Sequence, residues 1–324
     1  MHVVLTGASG FLGGWIARLC REAGYPVSAL VRRPDVRLPA AGVQLRLVNF
    51  SDVRQLASAL SDAEVLIHCA GGGQVLNTAD FYTQNLETTA TLLAGVRLSG
   101  ASLQQFILIS SLAAHGPARR GCPAHEESPD QPVSHYGRSK WMAEGLALRY
   151  QHHFPITILR PPALYGPGDR KLLTLFRQVQ RGWVPVPVLN DQLSWLYGPD
   201  CAEAVLTCVR QPPVAPVRRY FLSGSEVCMT AELVNLMADT LNCTARLFRV
   251  PLPVLAGAAY LSECVARLRQ QPGLLTRDKY RDLCQAQWYC SSALIAQALG
   301  WQAKTMLSEG VATTAAWYRE QGWL

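Results

Sequence analysis

The 324-residue chain predicts a doubly wound α/β fold: a parallel sheet covered by helices on both faces, followed by a smaller, mostly helical C-terminal lobe. Three observations predict it. Short apolar runs alternate with helical patterns through the first half, as buried parallel strands and their crossovers do. A glycine-rich turn, Thr6-Gly-Ala-Ser-Gly-Phe-Leu-Gly13, stands between the first strand and the first helix. After about residue 165 the rhythm changes and prolines cluster at Pro185, Pro187, Pro212, Pro213 and Pro216.

The elements follow in order. Residues 2–6 read as a buried strand and 11–23 as a helix that Gly24 stops. Residues 27–31 and 44–48 are the second and third strands, 53–60 a helix, and 64–69 the fourth strand. A long helix is expected over 79–99, a fifth strand over 106–110, a helix over 135–153 and a sixth strand over 156–159. In the later part, helices are expected over 231–241, 252–268, 291–299 and 308–321. Right-handed crossovers place the site at the carboxyl ends of the strands.

Composition narrows the partners. Hydrophobic content of 49% and charged content of 16% describe a well-cored chain. The net charge of +7 is scattered in doublets such as Arg32-Arg33, Arg119-Arg120 and Arg218-Arg219, with no basic run among aromatics. That argues against nucleic acid as a partner. None of the ten cysteines forms a Cys-x-x-Cys pair, and the seven histidines lack metal spacing. Reduced thiols in a cytoplasmic protein are expected, with no metal. With the first strand read from residue 2, no signal peptide is expected. No apolar span reaches the roughly 20 residues that crossing a bilayer needs. Residues 250–268 come nearest and read as an amphipathic helix that lines a core, lines an apolar pocket or touches a membrane.

Gly7, Gly10 and Gly13 space the turn as Gly-x-x-Gly-x-x-Gly. Such glycines allow a tight turn and close approach of a pyrophosphate, and the helix start offers free N–H groups to the anion. The second strand ends in Val31-Arg32-Arg33, where a carboxylate would meet the ribose hydroxyls of NAD(H). Two guanidinium groups suit a 2′-phosphate, so NADP(H) is expected ahead of NAD(H), with Asp35 pulling the other way. Tyr136 and Lys140 stand four apart in Ser134-His-Tyr-Gly-Arg-Ser-Lys140 and share one helix face. An ammonium beside a phenol lowers the phenol pKa, which suits proton transfer to and from a carbonyl oxygen.

Together these motifs resemble the extended short-chain dehydrogenase/reductases of the NAD-dependent epimerase/dehydratase superfamily, over nearly the whole chain. The resemblance includes Asn49-Phe50 where the family carries Asp-Leu, His68-Cys-Ala-Gly71, Asn85, Ser110-Ser111-Leu-Ala-Ala-His-Gly116 and Arg160-Pro-Pro-Ala-Leu-Tyr-Gly-Pro-Gly168. It implies a dinucleotide-binding Rossmann domain over residues 1–165, to which later segments return, and a substrate lobe over 166–324. It implies that Gly7, Ser9, Gly10, Phe11, Leu12, Gly13, Arg32, Arg33, Asn49, Phe50, Cys69, Ala70, Gly71, Asn85, Ser110, Tyr136, Lys140 and Pro161 line the cofactor. Ser111, Tyr136 and Lys140 are the implied catalytic residues: Ser111 bonds the carbonyl oxygen, Tyr136 gives the proton, and Lys140 holds the nicotinamide ribose. It also implies a homodimer through the helices near 79–99 and 135–153.

Departures from the sugar-nucleotide pattern bear on the reaction. Leu112 and Ala113 stand where 4,6-dehydratases carry an acidic pair, and Leu193 stands where a diphosphate-clamping Arg is usual. The later segment, with Trp195, Leu196, Pro251-Leu-Pro-Val-Leu255, Leu261 and Trp288, is apolar and resembles the 3β-hydroxysteroid-dehydrogenase-like branch. The expected activity is NADP(H)-dependent interconversion of a ketone and a secondary alcohol on an apolar, lipid- or steroid-like small molecule. The alternatives are nucleotide-sugar epimerisation and a catalytically silent NADP-binding regulator.

Overall fold

Seven strands form one parallel sheet in the computed structural model, which describes residues 1–187, 191–273 and 275–324. Strands β1 (Val3–Thr6), β2 (Val27–Val31), β3 (Gln44–Leu47), β4 (Val65–His68), β5 (Gln105–Ile109) and β6 (Ile156–Arg160) come from the first half. The chain then adds β7 (Ala163–Tyr165), β8 (Trp183–Val186), β9 (Gln192–Tyr197), β10 (Val217–Phe221), β11 (Val227–Cys228), β12 (Arg246–Arg249) and β13 (Gln287–Trp288). The large sheet runs β10-β6-β5-β4-β1-β2-β3. Strands β1, β2, β4, β5 and β6 are buried at every position, so they carry no polar alternation. β3 lies at an edge and is only partly covered.

The chain winds outward from β1 to β3, then returns to place β4 on the other side of β1. That reversal opens a crevice above the carboxyl ends of β1 and β4, where the Gly7 turn and Cys69-Ala70-Gly71 emerge. Successive residues serve opposite faces. Val3 and Leu5 pack with Ile16, Cys20, Val205 and Val209 from the helices Phe11–Glu22 and Gly198–Arg210. Val4 packs on the other side with Leu56, Leu92, Val96, Phe106 and Ile158. β10 pairs with β6 from Val217↔Ile156 to Phe221↔Arg160, so a late segment does return to the sheet.

Two helices differ from the expected ones. The long helix is interrupted: Ala79–Tyr82 runs into a π turn, Thr83–Glu87, before Thr88–Ser99. The π turn holds the buried Asn85; such wide turns often mark functional positions. The later helix, His135–Leu148, stops short of residue 153. Phe154 there packs on Phe106 and Tyr150, and Pro155 disfavours helix in the residue before it.

Beyond β6 the chain mixes helices with small sheets. β11, β9 and β13 line up with β7 beside β9, and β12 pairs with β8. None of these strands stands out in the sequence, because each is two to six residues long and needs its partners to exist. Their core includes Phe176, Val234, Met237, Val311 and Tyr318, whose hydroxyl donates to the Asp169 carbonyl at 2.6 Å. Among the described residues, no helix is long and apolar enough to cross a membrane, and no cluster of metal-ligating side chains occurs.

Candidate active site

Sterics explain the glycine turn. Gly7 has φ +79°, a left-handed conformation that glycine adopts freely. A Cβ on Gly7 would lie 2.6 Å from the Ala70 nitrogen, and one on Gly13 would lie 2.0 Å from the Gly7 carbonyl oxygen. The helix that follows starts at Gly10 with no side-chain cap, which leaves its first N–H groups for a ligand. This cradle, too tight for any side chain, fits a dinucleotide pyrophosphate. Gly13→Ala should therefore cost about 1–3 kcal/mol through overpacking, read as a lower urea midpoint together with weaker binding of the dinucleotide. An unchanged midpoint and affinity would contradict the packing seen here.

The tips of β1 and β4 are tied together. The Ala70 N–H donates to Thr6 Oγ1 at 3.1 Å, and Thr6 Oγ1 lies 2.7 Å from His68 Nδ1. His68 Nε2 lies 3.0 Å from Thr89 Oγ1. Burial, with Lys140 nearby, pushes the His68 pKa down to about 3, so the ring is a neutral brace. Burial pushes the Cys69 thiol up to about 12, which keeps it protonated.

Asn85 is a buried junction. Its Oδ1 accepts the Gly72 N–H at 3.2 Å and its Nδ2 donates to Ser139 Oγ at 2.9 Å. A Cβ on Gly71 would sit 2.6 Å from Asn85 Oδ1 and 2.7 Å from Lys140 Nζ. Gly71, Asn85 and Lys140 thus converge on one point beside the crevice.

The other expected cofactor residues divide. Ser9 and Gly10 are exposed on the turn, and Arg32 and Arg33 are exposed after β2. Leu12 is committed to the core, and Phe11 lies against Gly166, Gly168 and Gly198. Asn49 is exposed beyond β3, its Oδ1 accepting the Ser51 N–H at 3.0 Å, while Phe50 packs on the second core face. The Ser110 hydroxyl is turned to Glu144, and the buried Pro161 carbonyl accepts the Leu112 N–H at 2.8 Å. Arg37 was not anticipated: it grips Asp35 at 2.6 and 2.9 Å and donates to the Ser9 carbonyl at 3.3 Å.

Ser111, Tyr136 and Lys140 come together at the ends of β5 and the helix His135–Leu148. Ser111 Oγ accepts the Ala113 N–H at 3.1 Å and lies beside the Tyr136 phenol. The Tyr136 ring rests on Phe81, 5.7 Å between centroids. Lys140 is buried and its Nζ donates to the Ile109 carbonyl at 3.1 Å. Burial lowers its pKa to about 8. The expected fall in the Tyr136 pKa is not found. Burial raises it, the Ser111 hydroxyl draws it partly back, and the Asp282 carboxyl raises it further. Desolvation of a would-be phenolate sets the direction, so the phenol is a proton donor at neutral pH.

Two carboxylates reach this place from far along the chain. Asp278, on the helix Arg277–Leu283, accepts the His135 N–H at 2.6 Å and the Tyr136 N–H at 3.1 Å. It caps the helix that carries Tyr136, with Ser134 Oγ accepting the Gly137 N–H at 3.1 Å. One turn on, Asp282 has one buried carboxyl oxygen without a partner, and burial pushes its pKa up. Sequence spacing could not find this pair, because a contact across 142 residues of chain leaves no local pattern.

A buried ion network underlies the triad. Arg160 donates to Asp130 at 2.6 and 2.8 Å and to Glu144 at 2.6 and 2.9 Å. Glu144 lies one turn after Lys140 and also accepts from Ser110. Arg219 and His115 complete the set, at 3.6 and 3.2 Å from Asp130. Burial pushes the Asp130 carboxyl up, but His115, Arg160 and Arg219 overcome it and hold the group well below the usual carboxylate range.

Comparison with known proteins gives the family. The model of the NAD dependent epimerase/dehydratase family matches residues 3–221. The chain is 31% identical to the ceramide reductase of Caulobacter vibrioides, over 99% of this chain and 96% of that protein. It is 26% identical to the UDP-glucose 4-epimerase of Vibrio cholerae, over 78% of this chain and 79% of that one. The crystal structure of gox2253 has the same fold, with a TM-score of 0.81 at 24% identity over 100% of this chain and 99% of that one. On the matched family model, the glycine cradle and the assembled Ser111, Tyr136 and Lys140, the chain belongs to the NAD dependent epimerase/dehydratase family and is an NAD(P)-dependent oxidoreductase.

Proposed function

We propose that the protein interconverts a ketone and a secondary alcohol on an apolar, lipid-like small molecule, using NADP(H) in preference to NAD(H). The observation that carries this reading is the half-buried Tyr136 phenol set beside the Ser111 hydroxyl, its pKa raised by desolvation. Two such donors aimed at one oxygen stabilise the charge that develops there during carbonyl reduction. The bound nicotinamide supplies or takes the hydride. Ser111 orients the carbonyl oxygen, Tyr136 delivers the proton to it, and Lys140 offers its ammonium to a ribose hydroxyl. Full-length similarity to a ceramide reductase supports the apolar substrate. The absence of a carboxylate from Leu112 and Ala113 speaks against dehydration.

For the cofactor, Asp35 is engaged by Arg37, which also holds its carboxyl below the ordinary range. It is thereby less available to ribose hydroxyls, while Arg32 and Arg33 remain exposed to meet a 2′-phosphate. In this reading residues 1–165, with the returning β10, hold the dinucleotide and most of 166–324 receives the substrate. The exposed Leu98, Trp141 and Met142 on the two helices named above suit a homodimer.

The test is turnover of NADPH with a long-chain ketone, against UDP-galactose conversion by the same preparation. Ketone reduction is expected. Sugar conversion without ketone reduction would replace this reading with epimerisation. Arg32→Ala with Arg33→Ala should weaken NADPH binding roughly tenfold or more, the worth of one charge-assisted hydrogen bond. NADH affinity should stay within about twofold on the same energy scale, and equal losses for both cofactors would remove the NADP(H) preference.

A further inference from the structure

The helix Leu252–Arg269 is 18 residues long, yet only Ala259 and Ala266 on it are buried. Those two face the rest of the lobe. The opposite side carries Val254, Leu261, Val265 and Leu268, which are 60, 65, 45 and 85% exposed. Their spacing puts them on one stripe. Single exposed apolar residues are ordinary; a continuous stripe with no partner among the described residues is not. The strand that leads into the helix, β12, adds Phe248, whose ring packs on Trp183 at 6.3 Å, and both rings are exposed.

The surroundings are basic. Arg246, Arg249, Arg267 and Arg269 are all exposed along this segment. Over residues 244–270 the only carboxylate is Glu263, and it is taken by Arg277 at 2.7 Å. A second copy of the same face would bring arginines against arginines, at a cost. An anionic lipid surface would satisfy both halves of the pattern: headgroups meet the arginines and acyl chains take the stripe. Tryptophan is favoured at that boundary.

The geometry points to this helix lying on an anionic membrane surface as a peripheral docking element. The inference rests on the lipid-like substrate proposed above and adds where that substrate is collected. Glu263 receives both the backbone N–H and the Nε of Arg277, which ties the docking helix to the helix Arg277–Leu283. That helix in turn holds the His135 and Tyr136 N–H groups through Asp278. The docked surface therefore stands one helix away from the start of the Tyr136 helix.

The test is co-sedimentation of the full chain with phosphatidylglycerol/phosphatidylcholine vesicles and with pure phosphatidylcholine vesicles. Binding is expected on the anionic vesicles only, weakening as salt rises. Leu261→Glu with Val265→Glu should lower it at least about tenfold, by removing two anchors. Arg267→Gln with Arg269→Gln should reduce its salt dependence. Circular dichroism melts of both variants guard against misfolding. No binding by the wild-type protein, or equal binding by well-folded variants, overturns the inference. So does a wild-type dimer, seen by light scattering, that Leu261→Glu with Val265→Glu converts to monomer while vesicles bind neither. Vesicle binding is read without turnover, so its failure is distinct from failure of the proposed reaction.

Discussion

Tyr136→Phe should lower ketone turnover by about 10²–10⁴-fold, the range spanned by loss of a positioned proton donor. The substitution removes one oxygen and leaves the ring on Phe81, so the pocket keeps its shape. Dinucleotide affinity should be unchanged, because the glycine cradle and Lys140 are untouched. Turnover by NADPH consumption and affinity by quenching of protein fluorescence separate the two effects. If the variant reduced ketone at the wild-type rate, proton delivery would have to come from another group. The raised pKa of the phenol sets a direction for pH. Tyr136 keeps its proton across neutral pH, so its ionisation should not limit reduction there. Oxidation of the alcohol, which needs the phenolate as acceptor, should speed up as pH rises toward the phenol pKa.

Arg160→Ala carries the largest expected cost in stability, about 3–5 kcal/mol, because it strips the buried Glu144 and the half-buried Asp130 of their main partner. Arg160 is fully buried, and all its donors to the two carboxylates lie within 2.9 Å. The pH dependence has a defined sign. In the wild-type protein the Asp130 pKa is depressed, so its contribution is present above the ordinary carboxylate pKa and is lost as pH falls through the lower folded value. Without Arg160 that depression is relieved and burial favours the protonated acid. The deficit should therefore be largest at neutral pH and shrink as pH falls toward 4. Urea unfolding of both proteins at several pH values measures it; a deficit that stays constant over that range would show that Asp130 is not the group at stake. Turnover should fall as well, since Glu144 follows Lys140 by one turn and holds Ser110 beside Ser111.

Local and periodic information was legible in the sequence. The apolar runs became β1, β2, β4, β5 and β6 because a strand covered on both faces must be apolar throughout. Gly7 and Gly13 were recognisable because a backbone that close tolerates no side chain. Tyr136 and Lys140 were recognisable because helical spacing places them on one face. What escaped was nonlocal. β7, β9, β11 and β13 exist only through one another, and Asp278 meets Tyr136 across 142 residues of chain. The π turn at Asn85 and the early end of the Tyr136 helix follow from burial and from packing at Phe154, neither of which has a period to read.

Alone, the order of residues determined which chemistry the chain carries: a pyrophosphate cradle, a phenol, a lysine and a serine, in an order that dictates a parallel sheet. Only the folded chain decided their state. Burial, a property of the assembled molecule, raised the phenol pKa where a neighbouring lysine was expected to lower it. It also neutralised His68 and brought two distant carboxylates to the start of the Tyr136 helix. Charge beside charge can be read along a chain; the loss of water around a charge depends on every segment that packs against it.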